Sequence, residues 1–294
     1  MFYRRKIILA LLQLFDGRID KISLQKLLFL FANRQLKPDY DFIPYLYGCY
    51  SYSANADLTA MVRKGILTDS SNYFIKIDST NYSKTLKESD RELLQEIKLQ
   101  FGNMTTHALM KHTYLNFPYW AINSLKAKEI LTTEQLEKVC NCRPKGTHTV
   151  LFTIGYEGIS IEEYLNRLIK NDIRVLVDVR CNPISMKYGF NKSQLLCYCE
   201  NAGIKYIHFP EVGIQSEQRK ELHTQADYDK LFAVYRANNL KKTNSTQVKI
   251  LNLLKEHKRI ALTCFEANIY QCHRKHLAEA IACLPGFEYE VIHI

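Results

Sequence analysis

Apolar positions recur along this chain with two different periods, and the change of period divides it. Up to about residue 142 the spacing is mostly helical. Arg5 to Phe15 places apolar residues three and four apart and stops at Asp16-Gly17, a helix followed by a breaker. Ser23 is placed to cap a second helix, Leu24 to Ala32. Asp57 to Lys64 belongs to a third, ended by Gly65. Ile66-Leu67-Thr68 and Tyr73 to Ile77 flank the turn-rich Asp69-Ser70-Ser71-Asn72, which predicts a β-hairpin. Helical spacing returns over Lys87 to Phe101, Thr105 to Leu115 and Thr133 to Cys140.

A polar Pro/Gly segment, Arg143 to His148, then interrupts the pattern. Beyond it, five short apolar runs read as buried strands: Thr149 to Ile154, Arg174 to Val179, Ile204 to His208, Arg259 to Thr263 and Tyr289 to Ile294. Helical patterns alternate with them over Ser160 to Ile169, Ser193 to Ala202, Ala226 to Ala237, Gln247 to His257 and Lys275 to Leu284. Strands alternating with helices predict a parallel sheet covered on both faces. The expected architecture is a mostly helical domain over residues 1–142, a linker over 143–148 and a parallel-rich, Rossmann-like α/β sandwich over 149–294. Three helices followed by a hairpin make the first domain winged-helix-like.

An apolar content of 47% supplies a sizeable core, while no apolar run approaches the ~18 residues that suggest a membrane span. Met1 to Gln13 is basic and then apolar, but Ile7 to Leu12 is short and no small-residue cleavage site follows. The segment reads as the first helix of a cytoplasmic protein. The nine cysteines are odd in number and irregularly spaced, so structural disulfides are not expected. Up to Thr147 there are 21 Lys+Arg against 14 Asp+Glu; the remainder has 19 against 16. A basic first half suits an anionic partner such as nucleic acid, and equally a merely soluble basic surface. Ser51 to Lys64 carries only Arg63 and Lys64 as cations, with Asp57 opposing them, which is poor for a DNA-reading helix. A protein-contact or purely structural role therefore stands beside DNA contact.

Three strand ends of the second half carry chemistry. Gly155-Tyr156-Glu157-Gly158 follows the first strand, Asp178-Val179-Arg180-Cys181-Asn182-Pro183 the second, and Cys264 with Glu266 the fourth. A helical pattern opens near Cys272-His273-Arg274. Ligands of open α/β sheets bind outside the carboxyl ends of the strands. Arg180 offers a planar fork for phosphate or carboxylate, and a helix start near Cys272 offers free N–H groups. At that helix start, beside His273 and Arg274, the Cys272 thiol is expected to be acidified. Cys264, Cys272 and His276 could together ligate zinc, although their spacing matches no common zinc motif. Each residue also has a plain structural reading. Asp178 can serve only to hold Arg180, Cys264 can be a small core residue, and His273 and Arg274 can anchor the chain. No Ser-His-Asp order, H-E-x-x-H motif or Walker loop is present, and Tyr270 stands where a thiol phosphatase has its Arg, six residues after Cys264.

The segments T-I-G-Y-E-G (Thr153 to Gly158), V-D-V-R-x-x-P (Val177 to Pro183), F-N-K (Phe190 to Lys192) and L-T-C-F-E…C-H-R (Leu262 to Arg274), with the closing V-I-H-I, resemble the domain of unknown function 488 family. The resemblance covers about Thr149 to Ile294. It implies a compact α/β sandwich and no established reaction. By motif match it offers Gly155, Asp178, Arg180, Pro183, Cys264, Glu266, Cys272, His273 and Arg274 as site positions. The basic residues that family members often carry shortly after the second motif are here Ile184-Ser185-Met186 before Lys187, which weakens an anion clamp at that place. In the first half, Ile22 to Leu30 (I-S-L-Q-K-L-L-F-L) followed by Tyr47-Gly48-Cys49-Tyr50-Ser51 resembles the Panacea (SocA-like) antitoxin families and related winged-helix-like modules, with Cys49 where those have Pro.

The leading expectation is an enzyme acting on a nucleotide or nucleic acid. Cys264, Glu266, Cys272 and His273 would be the catalytic candidates, and Gly155, Tyr156, Asp178, Arg180 and Arg274 the substrate-binding ones. No resident metal is expected, and the sequence names no cofactor. Two alternatives stay open: a non-catalytic DNA- or protein-binding regulator whose second half senses a small anion, and a thiol-based metal or redox sensor.

Overall fold

The first apolar stretch, Ile7 to Leu12, is sealed from solvent at every position inside helix α1 (Tyr3–Leu14). The helix ends where Asp16 and Gly17 both take positive φ, 58° and 77°. The structure, a computed structural model, describes residues 1–219 and 222–294. They form two compact units, Met1–Arg143 and Pro144–Ile294.

In the first unit, strand β1 (Arg18–Asp20) leads directly into α2 (Lys21–Ala32). The cap of α2 is Asp20 rather than Ser23. The Asp20 carboxylate accepts from the amides of Ile22 and Ser23 and places negative charge at the positive end of the helix. Residues 23–32 are buried without interruption, so the helix is surrounded on all sides. A short antiparallel pair follows, β2 (Ile43–Tyr45) and β3 (Gly48–Tyr50), and then α3 (Tyr52–Arg63), capped by the Ser51 hydroxyl. The expected hairpin is present as β4 (Leu67–Asp69) and β5 (Tyr73–Lys76), and β1 joins it to give the antiparallel order β1-β5-β4. Helices α4 (Glu88–Phe101), α5 (Thr106–Asn116), α6 (Ala127–Ile130) and α7 (Thr133–Asn141) complete the unit. Asp57, read from sequence as opposing the cations of α3, is 2% exposed. It is neutralised from α1, where Arg4 and Arg5 each lie 2.6 Å away and Tyr40 adds a hydrogen bond. Its charge is therefore not presented on the surface of α3.

The second unit is a five-stranded sheet, β6 (Val150–Gly155), β7 (Val175–Asp178), β8 (Lys205–His208), β9 (Arg259–Cys264) and β10 (Glu290–His293). Every pairing is parallel, in the order β10-β6-β9-β7-β8. β6 and β7 are buried at every position and β9 at all but Arg259, as near-continuous apolar sequence requires. β8 and β10 are the partly exposed edges. Helices α8 (Ile161–Lys170), α9 (Lys192–Asn201), α10 (Gln225–Val234), α11 (Asn244–His257) and α12 (His273–Ala282) connect the strands. Val175, Val177, Leu262 and Cys264 point toward the core built with α11 and α12, whereas Thr263 accepts a hydrogen bond from Tyr164 of α8 on the other side. The chain thus leaves β6 over one face and β9, its neighbour, over the other, which is a topological switch point. Among the described residues, no helix is long and apolar enough to cross a membrane.

Candidate functional site

The register of the sheet brings the motifs together. Gly155 pairs with Cys264, and Thr263 lies between Ile154 and Asp178. Past these ends the chain turns, and how each turn is held decides which side chains remain available.

Asp178 and Arg180 hold each other. Asp178 is fully buried and Arg180 is 5% exposed, with the guanidinium Nη2 2.5 Å and Nε 2.9 Å from the carboxylate. Tyr206 donates to the same carboxylate at 2.6 Å. The remaining Arg180 nitrogen, Nη1, donates to the Tyr156 hydroxyl and to the Phe190 carbonyl. Tyr156 lies flat on Phe190, with ring centroids 4.2 Å apart. The V-D-V-R and F-N-K motifs therefore form one packed unit, and the fork expected to grip a substrate is largely engaged within it. Pro183 serves through its carbonyl, which accepts from Lys192, and Lys187 donates to the Tyr156 carbonyl.

Arg274 has a similar fate. It is 2% exposed, and its guanidinium donates to the carbonyls of Glu266 and Ala267. The turn 265–267 is pinned from its other side by the amides of Tyr156 and Glu157, which donate to the Phe265 carbonyl. Gly155 permits this approach, since a Cβ there would lie 2.0 Å from the Glu266 carbonyl oxygen. Both residues shape the loop that presents Cys264 and Glu266.

The thiols sit on the α12 side. Cys264, Cys272 and His273 are buried, and one potential ligand atom from each lies within 4.8 Å of the others. His273 donates from Nε2 to the Val179 carbonyl at 3.0 Å, and its Nδ1 lies 3.7 Å from Cys264 Sγ. Glu266 Oε2 is 3.2 Å from the same sulfur. Arg219 joins the cluster from the segment Ser216–Arg219: Nη1 lies 2.5 Å from Glu266 Oε1, and Nη2 lies 2.8 Å from His273 Nδ1 and 3.8 Å from Cys264 Sγ.

These contacts separate the two thiols. Burial pushes both upward. At Cys264 the Cys272 S–H, His273 and Arg219 outweigh burial and hold the thiol well below its usual range. At Cys272 burial is reinforced by Cys264 and Glu266, and the thiol is pushed well above that range. The thiol favoured as thiolate is thus Cys264, where the sequence had pointed to Cys272. Cys272 does stand at the cap of α12, but the negative partner beside it outweighs the helix end. The Glu266 carboxyl is raised by burial and then by Cys264, with Arg219 opposing. A lowered thiol and a raised carboxyl 3.2 Å apart are drawn toward sharing one proton.

A cavity of about 300 Å³ opens above Cys264, lined by Tyr156, Arg180, Met186, Ile214, Arg219 and Phe265 among others. Cys272 and His273 do not line it. Residues 160–281 match the family model of the domain of unknown function DUF488. Over these residues the C-terminal unit is similar to the DUF488 family. No curated protein matches the chain. The matched span includes every thiol-cluster residue and the Asp178–Arg180 pair, while Gly155 and Tyr156 precede it.

Within the C-terminal unit, a metal could be held by Cys264 Sγ, Cys272 Sγ and His273 Nδ1, with Glu266 as a further donor. His276, the third zinc ligand considered from sequence, instead contacts Glu279 and Arg236. In the present arrangement the Arg219 guanidinium is bonded to Nδ1, so a metal would have to displace it. Arg219 is the participant that sequence reasoning missed. It lies 45 residues before Cys264 in a polar stretch without periodicity, and nothing in its neighbours distinguishes it from a surface arginine.

Proposed function

We propose that the C-terminal unit is an enzyme that uses the Cys264 thiolate as nucleophile on a small anionic, nucleotide-like substrate held in the cavity above it. The observation that carries this reading is geometric: Cys264 lines the cavity with Glu266 Oε2 3.2 Å and Arg219 Nη2 3.8 Å from its sulfur, whereas Cys272 does not line it. In the proposed step, the bond from Cys264 Sγ to the substrate forms as the bond to the leaving group breaks, and the Glu266 carboxyl gives that group its proton. Arg219 stabilises the negative charge of substrate and thiolate. Phe265, exposed at the cavity, supplies an aromatic wall for a flat ring. Asp178, Arg180, Gly155 and Arg274 act as positioning residues. The test is alkylation of the native protein with iodoacetamide, read by peptide mass spectrometry, beside a substrate screen in which Cys264→Ser is the control. Selective labelling of Cys264, suppressed by a nucleotide, supports the reading. Turnover that survives Cys264→Ser ends it.

The Cys264, Cys272 and His273 cluster supports a second reading, a metal-holding or thiol-sensing centre. Metal analysis of protein prepared without chelator separates the two. One zinc per chain with both thiols unreactive favours the second reading.

For the first unit, the order α1, β1, α2, α3, β4, β5 with the sheet β1-β5-β4 supports a winged-helix module. We propose nucleic-acid contact through it, with a protein partner as the alternative.

A further inference from the structure

Lys26 lies in the middle of α2, in the unit that the thiol chemistry does not involve. It is 1% exposed, and the residues around it from Ser23 to Ala32 are buried too. Lysine is almost never buried to this degree without a charged partner, because an ammonium removed from water needs a counter-charge. Among the described residues, Lys26 has no carboxylate within ion-pairing distance. Its partners are the Cys49 carbonyl oxygen, 2.9 Å from Nζ, and the Cys49 thiol. An ammonium carries three donors, so the protein leaves this one short of both acceptors and charge.

Lys26 forms part of the wall of a cavity of about 380 Å³ whose other walls include Ile22, Tyr45, Tyr47, Tyr50 and Phe74. Gly48 keeps the space beside the ammonium open. Its φ is +91°, and a Cβ there would stand 3.1 Å from Lys26 Nζ and 2.6 Å from Tyr114 Cε1. The cavity's other charges are committed elsewhere: Asp20 caps α2, and Lys21 pairs with Asp69 at 2.6 Å. Burial disfavours the ammonium form of Lys26, and a bound carboxylate would supply the counter-charge that restores it, so an apolar, aromatic chamber around this amine is complementary to a ligand with an apolar body and one negative charge.

We propose that this cavity binds a small monocarboxylic acid with an aromatic or aliphatic body, its carboxylate meeting Lys26 Nζ. The planar carboxylate supplies the missing acceptor and the missing charge, and the tyrosine walls take the body.

The test titrates the full chain by calorimetry with benzoate, and with benzamide as its neutral isostere. Benzoate should bind at least about tenfold more tightly, the difference resting on one charge-assisted hydrogen bond. Lys26→Met should abolish that difference, with circular dichroism and the melting temperature checking that the variant is folded. Asn55→Trp, at an exposed position on the cavity wall, should weaken both ligands alike and does not disturb the core. Equal affinity of the native protein for the two ligands overturns the proposal, as does the absence of saturable binding by either. Benzoate binding that survives Asn55→Trp, or survives Lys26→Met undiminished, overturns it as well.

Discussion

Replacing Arg180 by Met should destabilise the second unit strongly and leave the proposed chemistry of Cys264 largely in place. Removing the guanidinium strips Asp178, which is fully buried, of its charged partner. The carboxylate would keep only the Tyr206 hydroxyl, at 2.6 Å, and the backbone amide of residue 180, at 3.0 Å. The Tyr156 hydroxyl and Phe190 carbonyl lose a donor at the same time. Breaking one side of a buried pair costs about 3–5 kcal/mol. For a unit of this size that corresponds to a fall of roughly 6–20 °C in melting temperature. Converting both partners to neutral groups removes the orphaned charge, so Asp178→Asn with Arg180→Met should be less damaging than Arg180→Met alone. Circular dichroism melts report both units, and the single tryptophan, Trp120, lies in the other unit and supplies an internal control by fluorescence. An Arg180→Met protein that melts within about 2 °C of the native one would refute the positioning role. So would a double variant worse than the single, or a stable single variant that has lost nucleotide binding.

Because Cys264 is held below the ordinary thiol range, its alkylation in the native protein should stay fast as pH falls below that range and decline only near its own folded pKa. In urea the profile should move up to that of a free thiol, about 8.5. Coincident native and unfolded profiles by mass spectrometry contradict the assignment. Arg219→Met removes a cation 3.8 Å from the sulfur. It should shift the native profile upward at little cost in stability, since Arg219 is partly exposed. Gly155→Ala drives a Cβ into the Glu266 carbonyl; it should cost about 1–3 kcal/mol and slow Cys264 alkylation, and an unchanged rate would detach the loop from the thiol. Any nucleic-acid affinity of the basic first unit should fall steeply with salt in a filter-binding or anisotropy assay; no binding to single- or double-stranded DNA or RNA at low salt would leave protein contact as its role.

The strands and helices of both units were legible in the sequence because burial there follows period: β6, β7 and β9 are apolar throughout, and α8 alternates faces at helical spacing. Three short strands outside the expected hairpin escaped. β1, β2 and β3 are too short to show alternation, and the unexpected β1 displaced the α2 cap from Ser23 to Asp20. The positions of the site residues could be read, but their partners could not. That Cys264 rather than Cys272 is acidified depends on Arg219 and His273 arriving from different segments. That Arg180 is engaged depends on Tyr156 and Phe190 meeting it from two other elements. Side-chain partnerships of this kind belong to tertiary structure and leave no periodic trace.

The central place of β9 sets the order in which the second unit can be assembled. β6 and β7 are joined early by α8 yet stand two strands apart, roughly 10 Å, with the slot between them reserved for a segment some eighty residues later. Of the four strand pairings, only β7 with β8 can form before residues 259–294 leave the ribosome. Until then the nascent chain holds two unjoined sheet fragments with exposed edges, a late-closing topology of the kind that folds slowly and depends on chaperones. The same delay keeps the thiol cluster apart until β9 and the start of α12 are made, since Cys264, Cys272 and His273 all lie beyond residue 258.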